Sequence, residues 1–108
     1  MNARPVEARY AAIVQALCAE PDVASGAGKG FGSGGLMVHG KLFATLRKDE
    51  LLLKLPAGRV SGLIAAGGGR AFEPRPGRVM REWVLVSAAA EGWLALAREA
   101  QAFVGDGA

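Results

Sequence analysis

Arginine side chains are concentrated in one short segment of this 108-residue chain. They recur through residues 70–81, and a further one, Arg59, comes shortly before. A guanidinium group is permanently charged and presents a planar fork of N–H donors, which suits phosphate and carboxylate groups. If the segment folds back on itself as a hairpin, several of these groups share one face. The candidate contacts for an anion or a nucleic acid are Arg70, Arg75, Arg78 and Arg81.

The same segment has a simpler interpretation as a solvated, charged face with no partner. Glu73 and Glu82 lie among the arginines and can neutralise part of their charge. No helix-turn-helix, zinc-finger or RNA-binding signature accompanies the segment. The sequence therefore leaves two alternatives open, a binding surface and a plain charged surface.

Other residue types that carry out chemistry are isolated. His39 is the sole histidine and Cys18 the sole cysteine, so the chain has neither the ligands of a typical zinc site nor the means to form an internal disulfide. Ser33, Ser61 and Ser87 have no base in a recognisable relation to them. We therefore expect no catalytic residues, no metal ligands and no cofactor, and hence no enzyme.

A glycine-rich stretch at 30–35, GFGSGG, matches the spacing G-x-G-x-x-G of dinucleotide-binding proteins. That motif follows a strand and opens a helix, so that phosphate meets the helix N-terminus. Here the predicted order is reversed, with a helix before the stretch and a strand after it. We interpret it as a flexible lead into a strand; an anion held by its backbone N–H groups is the alternative.

The composition indicates one folded domain over 1–108. Hydrophobic residues make up 51% of the chain, which is enough apolar material for a core. The formal net charge is +3 at pH 7, a mild positive charge that permits a nucleic-acid partner without requiring one. The N-terminus has no signal-peptide core, and no apolar run approaches the roughly 18 residues that cross a bilayer. We expect a cytoplasmic protein with no membrane partner.

Hydrophobic periodicity predicts the elements that would position these residues. The helical spacing of Tyr10, Ile13 and Leu17 predicts a first helix. Three apolar runs, separated by His39-Gly40 and by 48–50, predict an antiparallel meander whose second strand is central. In chain order we predict a helix at 5–19, a glycine-rich connection at 22–35, a three-strand meander at 36–55, a helix at 57–66, strands at 71–73 and 79–86, and a helix at 88–104.

Proline and capping residues refine these boundaries. Pro74 and Pro76 keep the strand at 71–73 short and at a sheet edge, and Ser87 is expected to cap the last helix. The order of elements predicts an α+β fold, an antiparallel sheet covered by helices. The large aromatic and sulfur-containing side chains of the second half are expected in the core rather than at a ligand site: Phe72, Met80, Trp83 and Trp93.

Several short segments together carry a family resemblance. They are FGSGGL at 31–36, VHGK at 38–41, LFA at 42–44, LLLKL at 51–55, FEP at 72–74, PGRVMREW at 76–83 and LALAREA at 94–100. On these segments the region 29–104 resembles the N-terminal domain of the TfoX/Sxy family, although Gly30 stands where that family usually has Met. The resemblance implies a fold similar to the type III secretion chaperone-like fold.

Members of that family named for TfoX are regulators linked to competence gene expression, and they act through protein partners. This chain resembles a stand-alone copy, since the full-length regulators continue into a helical domain. The resemblance transfers no catalytic residue. We therefore expect a non-enzymatic regulatory or protein-binding domain, with a homodimer as one form of assembly. The alternatives are direct nucleic-acid binding through the arginine segment, and a small-ligand-binding protein or enzyme of unknown reaction.

Overall fold

The computed structural model describes residues 6–25, 35–87, 90 and 92–106. These residues form an α+β fold, as predicted, in which an open antiparallel sheet has the strand order β1-β2-β3-β4-β6-β5. Within them, no helix has both the length and the apolar character needed to span a bilayer. In chain order the elements are α1 (Val6–Leu17), β1 (Val23–Ser25), β2 (Leu36–Val38), β3 (Lys41–Arg47), β4 (Glu50–Lys54), α2 (Ala57–Ala65), β5 (Arg70–Arg75), β6 (Arg78–Val86) and α3 (Trp93–Gly105).

The core lies on one face of the sheet, beneath α2 and α3. Leu51 and Leu53 of β4 pair with Val86 and Val84 of β6, and all four side chains are fully buried. Alternate residues of a strand point to the same face, so these pairs form one continuous apolar surface. α3 crosses β2, β3 and β4, while α2 packs on β5 and β6. The predicted meander and its central second strand are confirmed.

A β-bulge in β3 adds a large side chain to this core. Leu36 of β2 pairs with Ala44, and Met37 pairs with Leu42, which leaves Phe43 as an extra residue opposite no partner. A bulge breaks the strict alternation of side chains along a strand. As a result, the consecutive residues Phe43 and Ala44 are both fully buried in the same core.

One strand was not predicted. The connection predicted at 22–35 contains β1, which pairs with β2 from Val23 opposite Val38 to Ser25 opposite Leu36. Three residues are too few to show a hydrophobic period, so this strand owes its existence to its partner rather than to its own sequence. Residues 26–34 of the predicted connection, with most of the glycine-rich stretch, lie outside the described residues.

The last helix begins at Trp93, later than the predicted residue 88, and its N-cap is Gly92 rather than Ser87. The carbonyl oxygen of Ser87 instead accepts hydrogen bonds from the N–H of Ala90 and from the indole N–H of Trp93, both at 3.0 Å. The chain therefore turns before the helix starts. Residues 88, 89 and 91 lie outside the described residues.

β5 is an edge strand, as predicted, but it runs from Arg70 to Arg75 and so includes Pro74. Pro74 falls between the paired residues Phe72 and Arg75, where the register is irregular. Proline has no backbone N–H. It is tolerated at such a position because no hydrogen bond between the strands needs an N–H there.

We expect Leu53→Ala to lower the free energy of unfolding by about 2–5 kcal/mol, since Leu53 is fully buried and truncation leaves a cavity. Chemical denaturation measures the change. Leu94→Ala is the matched control, because Leu94 is 40% exposed and its truncation should change stability by less than about 0.5 kcal/mol. Equal effects of the two substitutions would contradict the assignment of the core.

The single tyrosine provides a second test of the core. Burial raises the pKa of Tyr10 to about 12, with a side-chain hydrogen bond to Thr45 acting in the opposite direction. We expect one phenolate transition near pH 12 in a spectrophotometric titration of the folded protein, and one near pH 10 in denaturant. Because the folded pKa is the higher one, the neutral phenol contributes stability below about pH 10, and this contribution is lost as pH rises through about 12. A folded-state midpoint near 10 would contradict the burial of this ring.

Candidate functional site

The β5–β6 hairpin extends beyond the rest of the sheet. The pairing of β4 with β6 stops at Lys54 opposite Trp83, and one further backbone hydrogen bond joins the N–H of Leu55 to the carbonyl of Glu82 at 2.9 Å. The β6 residues Met80 and Arg78, which precede these, pair with β5 alone. We call residues 72–81 the β5–β6 arm. It is a two-stranded ribbon attached to the sheet at one end.

The tip of the arm is a tight turn formed by Pro76 and Gly77 between Arg75 and Arg78, which are register partners. Gly77 has a φ of +81°, the left-handed conformation that a type II turn requires after a proline. The Glu73 carboxylate accepts a hydrogen bond from the Gly77 N–H at 2.6 Å. This bond fixes the turn from within the arm.

A large register shift separates the arm from the sheet. Ala71 pairs with Val84, but the next pair is Phe72 with Met80, so the β6 residues 81–83 have no partners in β5. Extra residues on one strand bend it and increase its twist. A solvent-open hollow of about 460 Å³ lies against the bent region. It is lined by Lys54, Gly77, Arg78, Val79, Met80, Arg81, Glu82 and Trp83.

Two of the arginines near this segment are bound by carboxylates from elsewhere in the chain. The Arg70 guanidinium donates to both carboxylate oxygens of Glu50, at 2.9 and 2.6 Å, and Arg59 forms the same bidentate pair with Glu99, at 2.8 and 3.0 Å. These hydrogen bonds lower the pKa of Glu50 and of Glu99 below the usual glutamate range.

The remaining three arginines of the predicted site lie on the arm. Arg75, Arg78 and Arg81 are exposed to solvent, and within the part of the chain that the structure describes no carboxylate lies within 4 Å of them. Glu82, which the sequence suggested as a neutralising residue, lies instead 3.8 Å from the Lys54 amine. The predicted set therefore divides into one arginine in a structural ion pair, Arg70, and three that present their charge to solvent.

Aromatic side chains and further cations border the arm. The Lys54 amine lies 5.9 Å from the centroid of the Trp83 ring, and the Arg47 guanidinium lies 5.2 Å from that of Phe72. Phe72, Met80 and Trp83 are only half-buried, so the prediction that they belong to the core is wrong for them. Trp93, by contrast, is buried beside the Arg9 guanidinium, 4.0 Å from its ring centroid. The half-buried residues fill the bent base of the arm.

A second, smaller hollow of about 270 Å³ lies beside the Arg70–Glu50 pair and is also open to solvent. Arg47 and Lys48 supply its cations, and Phe72 forms part of its wall. The sequence did not indicate that Arg47 and Glu50 belong to this region. Arg47 lies more than 20 positions from Phe72, and Glu50 lies 20 positions from Arg70. Spacing along one element cannot detect contacts of this kind.

His39 occupies the predicted β2–β3 turn and is exposed, with a φ of +53°. Its Nε2 lies 3.2 Å from an Asp22 carboxylate oxygen, an acid that the sequence did not place nearby. Among the described residues, no group of three or more His, Cys, Asp or Glu side chains has the arrangement of a metal site. We interpret the contact as a link between the start of β1 and the turn.

Comparison with known proteins gives no assignment: no family model, curated protein or solved structure matches the chain at a significant level.

The Arg70–Glu50 pair can be tested by its titration. In NMR titrations we expect Glu50 to have a pKa below the usual value of about 4.3, and Arg70→Gln to return it toward that value, because the hydrogen bond from Arg70 is the main cause of the shift. Glu99 is an internal control, since Arg59 remains in place. A folded pKa below the unfolded one stabilises the protein above the unfolded pKa. The difference in Tm between the wild type and Arg70→Gln should therefore vanish as pH falls through the folded pKa; an unchanged Glu50 titration would contradict the pairing.

Proposed function

We propose that this protein is a non-enzymatic regulatory domain that binds a macromolecular partner through the β5–β6 arm. The observation that carries the proposal is the exposure of Arg75, Arg78 and Arg81 on a ribbon that projects from the sheet. Charged side chains without protein partners stay hydrated in the free protein. They become strong hydrogen-bond donors when an anionic surface approaches. The arm is the part of the described chain that combines projection, positive charge and bordering aromatic rings.

The shape of the surface supports a binding role over a catalytic one. Small-molecule sites enclose most of their ligand in a largely apolar cleft. The two hollows at the arm are open to solvent, and charged side chains make up about half or more of the residues that line each of them. Such surfaces suit contact with an extended partner. A small-ligand site or an enzyme of unknown reaction remains the weaker alternative.

The regulatory part of the proposal comes from the resemblance to the TfoX/Sxy family, which implies protein partners. A homodimer is one form that such contacts take. Large apolar side chains exposed among the described residues are Ile64 of α2, Val79 of β6 and Leu94 of α3. Of these, Val79 belongs to the arm, so the arm offers an apolar contact beside its arginines.

The proposal predicts that binding depends on the arm and not on positive charge in general. We would measure fluorescence anisotropy with two labelled anionic probes, a 20-base-pair DNA duplex and a 20-residue polyglutamate peptide. At least one probe should bind, and Arg75→Gln/Arg78→Gln/Arg81→Gln should weaken that binding by tenfold or more, about 0.5 kcal/mol or more per lost charged contact.

The matched control is Lys41→Gln/Arg59→Gln/Arg98→Gln. It removes the same net charge from exposed positions on β3, α2 and α3, none of which lines either hollow, and should keep most of the affinity. Thermal unfolding would show that both triple variants fold, as expected for exposed side chains. Binding that falls equally in both variants, or a lack of binding to either probe, would overturn the proposal.

A further inference from the structure

We propose that the partner of the β5–β6 arm is duplex DNA, and that the arm lies in the major groove with Arg75, Arg78 and Arg81 on the flanking phosphates. This inference rests on the proposed function, because it names the partner of the same surface. It follows from three features of the arm: a pair of like charges at its tip, its small apolar content and its dimensions.

The tip of the arm contains a local conflict. Arg75 and Arg78 are direct cross-strand partners, and like charges in that position destabilise a hairpin because their Cβ atoms are only about 5 Å apart. Neither guanidinium has a carboxylate within 4 Å among the described residues, and the nearby Glu73 carboxylate hydrogen-bonds the turn backbone. An external anion that bridges the two guanidinium groups would remove the repulsion. Local rules are most often broken at functional sites.

The charge pattern fits a nucleic acid better than an acidic protein surface. Arg78 and Arg81 are three residues apart on β6, which is roughly 10 Å along an extended strand. Duplex DNA carries one negative charge per about 1.7 Å of its axis, so its charges recur at a much finer spacing than the arginines of the arm. A protein surface carries charges of both signs, so it would need a carboxylate placed opposite each arginine.

The apolar content of the arm also argues against a protein partner. Stable protein interfaces have a buried core of aromatic and aliphatic anchors within about 800 Å² on each side. On the arm, Val79, at 50% exposure, is the large apolar residue that the described structure leaves exposed. Binding to DNA needs no such core, because phosphate contacts and counterion release supply most of the affinity.

The dimensions of the arm match a groove. Four residues of β6, 78–81, lie beyond Glu82, whose carbonyl accepts the Leu55 N–H, and at about 3.3 Å per residue they span roughly 13 Å of extended strand. The major groove of B-form DNA is about 12 Å wide and 8.5 Å deep and admits a two-stranded ribbon. The major groove of A-form RNA is too deep and narrow for this. The arm should therefore distinguish the two duplexes.

The test measures anisotropy of the full chain with a labelled DNA duplex, the matched RNA duplex and the polyglutamate peptide, from 50 to 200 mM salt. Three phosphate contacts contribute a slope of about −2.7 to the plot of log affinity against log salt concentration. The wild type should therefore lose roughly 40-fold more affinity over this range than Arg75→Gln/Arg78→Gln/Arg81→Gln. The Lys41→Gln/Arg59→Gln/Arg98→Gln control should keep the wild-type slope, and Arg75→Lys/Arg78→Lys/Arg81→Lys should keep most of it.

We expect the RNA duplex to bind about tenfold or more weakly than the DNA duplex. Equal affinity for the two duplexes, or an unchanged salt slope in the arm variant, would overturn the inference. Binding of the peptide that depends on the arm, without such binding of DNA, would overturn this inference and leave the proposed function standing. Binding of neither probe through the arm would overturn both.

Discussion

The pairing of β4 with β6 is the interaction on which the rest of the structure depends. It joins the meander of the first half to the hairpin of the second half, and it aligns the fully buried leucines of β4 with the fully buried valines of β6. α3 packs over β4, and α2 packs over β6. This non-local pairing therefore creates the apolar surface that both helices need. The arm exists because β6 is longer than its partner β4, so that the pairing ends before the hairpin does.

The arm combines a stable base with a sparsely supported end. At its base, the cations of Lys54 and Arg47 lie over the Trp83 and Phe72 rings, respectively, and the Glu82 carbonyl accepts the Leu55 N–H. Beyond that point the ribbon has two strands, β5 and β6, with no third strand paired to it among the described residues. A two-stranded ribbon alone is marginally stable in water. The turn at Pro76-Gly77 and the Glu73 carboxylate limit the conformations of this end, so that a partner meets a partly ordered surface.

Much of the fold could be predicted because most elements carry their own signal. The three apolar runs of the meander, the helical spacing of Tyr10, Ile13 and Leu17, and the order of the predicted elements were enough to predict the α+β class. The missed features depend on partners distant in sequence. β1 exists through β2, and the Phe43 bulge through the β2–β3 register. The start of α3 is displaced because the Trp93 indole uses the Ser87 carbonyl. The candidate arginines could be recognised by residue type. The ion pair that occupies Arg70 could not, because its partner Glu50 lies 20 residues away.

The two edges of the open sheet have a consequence for solubility. An unpaired edge strand is a template on which other chains can add strands, and proteins avoid this with very short edge strands, prolines and charges. At one edge, β1 is only three residues long. At the other, Pro74 interrupts the donors of β5, and Arg70 and Arg75 mark its two ends. Arg75, which presents its charge to a partner, thus also helps to keep other strands from adding to this edge, so replacing it with an apolar residue would favour aggregation.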